Sequence, residues 1–298
     1  MSKIAIVGSG VVGKATGMGF LSHGTNDVYF CDINKETLNS LRSQGYNAIT
    51  LDELYDASFE FYMLSLPTPT NGHGVEVGPL KGVIERLAIA LKHNSYDYPI
   101  VVIRSTVPPG TTGELLCPIL ESDSGLVCGQ DFGIAFNPEF LRAGSADQDF
   151  RNPWITLLGV DNEKTWERLV SIYYPFRAEI FRLSAKQAEF QKYVHNLYNA
   201  TKISFFNEMR LVAKHLSLDS ESVFESVVIS AEGMFNPPYG THDYGPFGGA
   251  CLPKDTAGFL RFAVDNDIPM PLLRAVIEVN EVIKANQHDR NIVRDQDA

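Results

Sequence analysis

The sequence predicts an α/β fold in which a doubly wound parallel sheet, over residues 1–184, is followed by an all-helical region, over residues 185–298. Three observations support this prediction. Short apolar runs alternate with helical patterns through the first half of the chain, as parallel strands and their crossover helices do. A glycine turn joins the first strand to the first helix. From about residue 185 the strand-like runs end and long helical patterns replace them.

The first element is a buried strand, because the mostly apolar run KIAIV precedes the glycine turn and a helical pattern. Gly8, Gly10 and Gly13 have the G-x-G-x-x-G spacing. In such a turn the first glycine permits the tight bend, the second lets the backbone approach a pyrophosphate, and the third lets the helix pack closely on the strand. The N–H groups at the start of the helix would bind the phosphates, so the sequence predicts a Rossmann-type dinucleotide site.

A second strand, DVYFCD, ends in Asp32, nineteen residues after Gly13. A carboxylate at this place accepts the ribose hydroxyls and repels a 2′-phosphate, which favours NAD over NADP. The glycine spacing alone is a weak signal, and an α/β turn with an incidental aspartate is the alternative. The strand, turn, helix and acidic residue together predict an NAD site.

Further strand-like runs follow, with helical patterns between several of them. The runs are Phe59–Pro69, Pro99–Thr112, Phe132–Phe140 and Trp154–Val160. Unusual residues cluster where three of the runs end. These clusters are Pro67-Thr68-Pro69, Ser105-Thr106 before Pro108-Pro109-Gly110, and Asn137-Pro138-Glu139. Any one of them could be ordinary turn chemistry. Because ligands bind at the carboxyl ends of parallel strands, three such clusters predict a site there.

The helical region opens with thirty residues that contain neither Gly nor Pro, QAEFQKYVHNLYNATKISFFNEMRLVAKHL. Lys192 and Asn196 are four residues apart and share a face of this predicted helix. A helical lysine is usually exposed, but the neighbours of Lys192 are largely apolar, so periodicity leaves its environment open. The later predicted helices are Ser217–Ala231, Asp255–Val264 and Leu272–Asn286, with a Pro/Gly-rich loop at Gly233–Gly249 and a polar tail at the end.

Cys251 lies in the stretch YGPFGGACLPKDTAGF. Gly248 and Gly249 allow a ligand or another backbone segment to approach it. Pro253 fits the first turn of a helix, which puts Cys251 near a helix N-terminus, where the dipole lowers the pKa of a thiol. Asp255, one turn on, could hold a water or a cation. A thiolate so placed can attack a carbonyl carbon, and the adduct can lose hydride to become a thioester; a small buried hydrophobic residue is the alternative.

Composition restricts the function classes. A formal charge of −11 disfavours nucleic acid or an anionic membrane surface as a partner. The four cysteines show no zinc-ligand spacing, which predicts no metal site and favours a reduced, cytoplasmic setting. No apolar stretch approaches membrane-spanning length, and a strand-like run at Lys3 leaves no room for a signal peptide. The sequence therefore predicts an acidic cytoplasmic protein.

The chain resembles the UDP-glucose/GDP-mannose dehydrogenase family from residue 1 to about 286. The resemblance is carried, in family order, by IVGSGVVG, RSTVPPGTT, NPEFLRAGS, KYVHNLYNATKISFFNE, GPFGGACLPKD and LLRAVIEVNE. It implies oxidation of the C6 primary alcohol of a nucleotide sugar to a carboxylate, with reduction of two NAD molecules. It also implies a homodimer formed through the central helical domain.

The resemblance further implies roles for individual residues. Cys251 would be the nucleophile that forms a thiohemiacetal and a thioester. Lys192 and Asn196 would stabilise the negative charge of the C6 oxygen, and Asp255 would orient water and Lys192.

Other implied roles concern proton transfer and the cofactor. Glu139 would be the acid/base that helps to hydrolyse the thioester, and Thr106 would support both the cofactor and a bound water. The family holds NAD at the positions of Gly8, Gly10, Val11, Val12, Gly13, Asp32, Pro67, Thr68 and Ser105.

Some positions depart from the family pattern. Ala143 replaces a second glutamate, Ala250 replaces the serine before the cysteine, and Phe235 replaces an arginine that reaches the sugar across the dimer. A third domain that covers the nucleotide half of the substrate is expected to be missing, which makes this a short form. The alternatives are a non-catalytic NAD-binding or assembly subunit and a single-step hydroxyacid dehydrogenase, which would not need the cysteine.

Overall fold

The structure, a computed structural model, describes residues 1–71, 74–142, 144–237, 239–240, 246–249 and 251–296. It divides into two compact units, Met1–His195 and Asn196–Ala298. The division falls within a long helix that begins at Ala185, where the sequence predicts the second domain to start.

Among the residues that the structure describes, the strands all belong to the first unit. They are β1 (Ser2–Val7), β2 (Asn26–Cys31), β3 (Asn47–Ile49), β4 (Phe61–Leu64), β5 (Thr70–Asn71), β6 (Gly74–Val75), β7 (Ile100–Ile103), β8 (Gly133–Phe136), β9 (Ile155–Gly159) and β10 (Glu179–Leu183).

The helices of the first unit connect these strands. They are α1 (Val11–Ser22), α2 (Lys35–Ser43), α3 (Leu51–Asp56), α4 (Gly78–Leu91), a π-helical turn (Thr111–Leu116) continuous with α5 (Cys117–Ser124), α6 (Ala146–Arg151), α7 (Glu163–Tyr173), a 3-10 turn (Tyr174–Phe176) and the first turns of α8 (Ala185–His215).

The main sheet has the strand order β10-β9-β8-β7-β4-β1-β2-β3. Neighbouring strands are parallel, apart from β8 and β9, which meet in one antiparallel pair between Phe136 and Gly159. In this order β2 and β3 lie on one side of β1, and β4, β7 and the strands beyond them lie on the other. The carboxyl ends of the parallel strands β1, β4, β7 and β8 lie at one edge of the sheet. The predicted α/β, doubly wound fold class is confirmed.

The central strands are apolar because both of their faces are buried. Along β1, Ala5 and Val7 belong to the core on one face of the sheet, while Ile4 and Ile6 belong to the core on the other. This alternation follows from the two-residue period of a strand. Every strand-like run predicted from the sequence contains a strand, whereas β3, β5, β6 and β10 were not predicted.

The second unit is helical, as predicted. It contains the rest of α8, α9 (Ser220–Ser230), α10 (Glu232–Phe235), α11 (Leu252–Asp265) and α12 (Pro271–Gln296). Its small core is built around Val212, Ala263, Ile268 and Met270. The helix α12 runs to Gln296, so the predicted helix end at Asn286, with a tail beyond it, is wrong. Among the described residues no helix is long and apolar enough to cross a membrane.

Candidate functional site

The glycine turn between β1 and α1 has the geometry of a phosphate cradle. Gly8 has a φ of +88°, and a Cβ there would lie 2.5 Å from the Ser65 carbonyl oxygen. A Cβ at Gly13 would lie 1.8 Å from the Gly8 carbonyl oxygen, so the close approach of helix to strand requires glycine. At Gly10, by contrast, a Cβ would meet no neighbouring atom within 4 Å, and the space beside the backbone is open to a ligand.

The start of α1 offers N–H groups to this cradle. Gly10, the N-cap residue of α1, has no side chain with which to cap the helix. Of the first two helical residues, Val11 is exposed and Val12 is half-buried. The first N–H groups of a helix have no acceptor within it. The turn therefore presents backbone donors and the positive end of a helix dipole to an anion.

Asp32 follows β2 at the same edge. One carboxylate oxygen accepts the Ser9 N–H at 2.7 Å and the other accepts the Asn34 N–H at 2.8 Å, which fixes the side chain while leaving lone pairs for further donors. A cavity of about 560 Å³ opens beside it. Its lining includes Gly8, Asp32, Ile33, Leu66, Pro67 and Arg86. Cradle, acceptor and cavity together fit the adenosine and pyrophosphate parts of a dinucleotide.

The loops after β4 and β7 are joined by hydrogen bonds between the predicted cofactor contacts. Ser105 Oγ donates to the Leu66 carbonyl oxygen at 2.7 Å, and Thr68 Oγ1 donates to the Thr106 carbonyl oxygen at 2.8 Å. The structure thus brings Pro67, Thr68, Ser105 and Thr106 to adjacent strand ends. These bonds also show that the hydroxyls of Ser105 and Thr68 hold the two loops together.

Arg104, which was not predicted from the sequence, lies behind the loop after β8. It is 3% exposed, and its guanidinium donates to Asn137 Oδ1 and, at 3.1 Å, to the Tyr173 hydroxyl. Tyr173 donates to the same Asn137 oxygen at 2.6 Å, and Asn137 Nδ2 donates to the Leu157 carbonyl oxygen at 2.8 Å. These hydrogen bonds fix Asn137 and the loop that carries it. The sequence offered one indication of this role, which is a positively charged residue directly after the apolar run IVVI.

Lys192 of α8 is buried against Glu139, which follows β8. Lys192 is 4% exposed, and its ammonium donates to the Glu139 carbonyl oxygen and, at 3.0 Å, to Glu139 Oε1. The other carboxylate oxygen accepts the Leu141 N–H at 2.7 Å. The ammonium also lies 5.3 Å from the centre of the Phe140 ring. A buried cation and a carboxylate in direct contact can stabilise a developing negative charge and exchange a proton.

His195 lies one turn beyond Lys192 and was also not predicted. Its ring packs against Phe140 with centroids 4.7 Å apart. Burial, and then the positive charge of Lys192, lower the pKa of His195, while Glu139 acts in the opposite direction. The imidazole is therefore held toward its neutral form.

In the second unit, Cys251 occupies the N-cap position of α11 and is an exposed, free cysteine. It is therefore not the small buried hydrophobic residue that was the alternative interpretation. The Asp255 N–H donates to the Cys251 carbonyl oxygen at 2.8 Å, and the exposed Asp255 carboxylate pairs with Lys254 at 3.2 Å. Asn196, on α8, is exposed.

The positions that depart from the family pattern are only partly described. Phe235 ends α10 and is 61% exposed. Ala143 and Ala250 lie outside the residues that the structure describes.

Comparison with protein-family models gives two matches. The NAD binding domain of the UDP-glucose/GDP-mannose dehydrogenase family matches residues 2–177. The central domain of the same family matches residues 186–282.

Individual relatives are similar over nearly the whole chain. A GDP-mannose 6-dehydrogenase of Pseudomonas savastanoi pv. phaseolicola is 32% identical over 309 residues, covering 96% of this chain and 70% of that protein. A UDP-glucose 6-dehydrogenase of Haloferax volcanii is 31% identical over 308 residues, covering 94% of this chain and 69% of that protein.

Solved structures are also similar over nearly the whole chain. A ternary complex of GDP-mannose dehydrogenase from Pseudomonas aeruginosa superimposes with a TM-score of 0.85 at 28% identity, covering 94% of this chain and 68% of that one. A UDP-glucose dehydrogenase from Pyrobaculum islandicum gives a TM-score of 0.72 at 30% identity, covering 95% of this chain and 68% of that one.

Proposed function

The chain belongs to the UDP-glucose/GDP-mannose dehydrogenase family, and we propose that it oxidises the C6 primary alcohol of a nucleotide sugar to a carboxylate. The cofactor is NAD, in keeping with the family's NAD binding domain. The observation that most supports this chemistry is the buried contact of Lys192 with Glu139. Glu139 lies at the same edge of the sheet as the glycine turn and Asp32.

The first unit would bind and orient the cofactor. Gly8, Gly10 and Gly13 would let the pyrophosphate approach the backbone, and Asp32 would accept the ribose hydroxyls. Pro67, Thr68 and Ser105 would line the continuation of this site along the strand ends. Bound NAD would supply a hydride acceptor for each of two oxidations.

Lys192 and Asn196 would stabilise the C6 oxygen as it becomes negative. An ammonium that is already dehydrated by burial interacts strongly with such an oxygen and needs little reorganisation. Glu139 would receive or return protons through its contact with Lys192, and Thr106 would position a water.

Cys251 would bind the sugar covalently between the two oxidations. Its thiolate would form a bond to the carbon of the C6 aldehyde, and the carbonyl oxygen would take up a proton to give a thiohemiacetal. Loss of a hydride from its carbon to NAD, together with loss of the hydroxyl proton, would leave a thioester. Water, oriented by Asp255, would then add to the thioester carbon, and the carbon–sulfur bond would break to release the carboxylate and the thiolate.

The proposed assembly is a homodimer formed through the helical domain, residues 185–298, with residues 1–184 as the NAD domain. Apolar side chains on α8 and α9 support this proposal, because Leu211 is 53% exposed, Val228 50% and Ile229 79%. Exposed apolar area of this kind is typical of protein interfaces. Sedimentation velocity would test the assembly, and a monomer at micromolar concentration would contradict it.

The activity is tested by NADH formation with a panel of UDP-, GDP- and dTDP-sugars, with Cys251→Ser as the control. The chain spans about 70% of the length of its relatives, so the assay must use this chain by itself. Two NADH per sugar would support the proposal. One NADH per substrate would indicate a single-step dehydrogenase, and NAD binding without turnover would indicate a non-catalytic subunit.

A further inference from the structure

The side chain of Glu189, on α8, is completely buried, yet it carries no ion pair among the residues that the structure describes. Its two carboxylate oxygens accept the Gly110 N–H at 2.5 Å and the Thr112 N–H at 2.7 Å. Burial raises the pKa of Glu189, and the bonds from Thr112 and Gly110 act in the opposite direction. Burial of a carboxylate is costly, and these two bonds offset part of that cost.

The partners of Glu189 are the start of a helix that has no cap of its own. Gly110 is the N-cap residue of the π-helical turn that continues into α5, and as a glycine it has no side chain of its own to accept from the N–H groups there. Its φ of +98° turns the chain sharply at this point. Glu189 thus supplies, from α8, the acceptor that a local Ser, Thr or Asp usually supplies.

The segment that Glu189 holds also carries Thr106. Between Thr106 and Gly110 stand Pro108 and Pro109, whose rings restrict the backbone. The Thr111 hydroxyl closes the same turn by donating to the Pro108 carbonyl oxygen at 2.6 Å. Because this connection is short and stiff, a shift of Gly110 is transmitted to Thr106.

Three residues after Glu189 on the same helix, Lys192 holds Glu139. Positions three apart lie on one face of a helix, about one turn from each other. The first turns of α8 are therefore attached at two successive points, by Glu189 to the loop after β7 and by Lys192 to the loop after β8.

We propose that Glu189 is a positioning residue, which fixes α8 against the Gly110–Thr112 turn and so sets where Lys192 meets Glu139. Lys192 has a flexible four-carbon stem, and its own contact with Glu139 does not define the position of the helix along its axis. The bonds from Glu189 to two backbone N–H groups do define it. This inference deepens the proposed function, since it rests on the assignment of Lys192 to the reacting oxygen.

The main test variant is Glu189→Gln, which keeps the shape of the side chain but replaces one acceptor oxygen with an NH₂ group. One of the two backbone bonds is then lost. The matched control is Glu114→Gln, which breaks the exposed Lys186–Glu114 ion pair of 2.8 Å between the same two segments. Gly110→Ala is a second test variant, because it disturbs the same turn from the other side through its positive φ.

The direct readout is acylation of Lys192 by an amine-reactive ester, followed by mass spectrometry and compared with exposed Lys202 in the same protein. All variants are labelled at the same interval below their own Tm, so a general loss of stability does not change the result. We expect Lys192 to become about tenfold more reactive in Glu189→Gln and Gly110→Ala and to stay protected in Glu114→Gln. Protection of Lys192 in both folded test variants would overturn the inference.

A kinetic readout accompanies the labelling. We expect Glu189→Gln to lower kcat about 10–100-fold while the KM for NAD rises by a clearly smaller factor, because the glycine turn and Asp32 follow β1 and β2 and not β7. An equal rise in KM for NAD would contradict a role restricted to Lys192. If the unaltered protein oxidises no nucleotide sugar but the labelling result holds, the proposed function fails and the positioning role stands.

Discussion

Replacing Lys192 with Met tests the buried ion pair most directly. Met preserves the length and much of the volume of the side chain but removes the donor from the Glu139 carbonyl oxygen and from Glu139 Oε1. The carboxylate then keeps the Leu141 N–H as its remaining donor in the described structure. An unpaired, partly buried carboxylate destabilises the fold.

The size of the effect follows from the burial of the two side chains. Breaking a fully buried pair by removing one partner costs about 3–5 kcal/mol. The side chain of Lys192 is 5% exposed and that of Glu139 is 19% exposed, so water can partly solvate the carboxylate. We therefore expect the free energy of unfolding to fall by about 2–3 kcal/mol, which corresponds to a fall in Tm of about 5–10 °C.

The assay is unfolding followed by tryptophan fluorescence, since both tryptophans, Trp154 and Trp166, belong to the first unit. Lys186→Met is the control, because Lys186 is 62% exposed in its ion pair on the same helix, and an exposed pair contributes little to stability. Adding Glu139→Gln to Lys192→Met should recover much of the lost stability. Equal losses in the two lysine variants, or no coupling with Glu139, would refute this reasoning.

Three further outcomes are expected. Asp32→Ser should shift the ratio of kcat/KM for NAD over NADP toward NADP by at least about tenfold, because a carboxylate that repels a 2′-phosphate is removed; an unchanged ratio in steady-state assays would contradict this role. Cys251→Ala should change Tm by less than about 1 °C, since the exposed thiol has no place in a core; a large fall in a thermal melt would show that the side chain is structural. The hydrogen bonds from Arg142 hold the pKa of Asp149 well below its usual range. The resulting stabilisation is complete at neutral pH and is lost as pH falls through the folded pKa. The Tm difference between the unaltered protein and Asp149→Asn should therefore be constant above about pH 5 and shrink below about pH 4. A Tm difference that does not change with pH would contradict this role of the Asp149 carboxylate.

The parts of the molecule that the sequence predicted are those in which local chemistry decides the conformation. The turn at Gly8 needs a positive φ, and Gly13 needs the absence of a Cβ, so the glycine spacing already predicts the cradle. Pro253 in the first turn similarly predicts the helix that begins after Cys251. The strand β10 was missed because its residues EIFRL are mostly exposed and lack the continuous apolar run of the central strands.

The pairing of side chains was decided only by the tertiary structure. Lys192 and Glu139 are separated by 53 positions in the chain, and Glu189 and Gly110 by 79, so nothing in either local segment indicates its partner. Helical periodicity could not determine whether Lys192 is exposed, because that depends on which loop lies against α8. The sequence by itself determined the dinucleotide cradle and the helix that begins after Cys251, since backbone conformation depends on neighbouring residues. The sheet order determined which charged groups are buried together, because only packing of distant segments removes them from water.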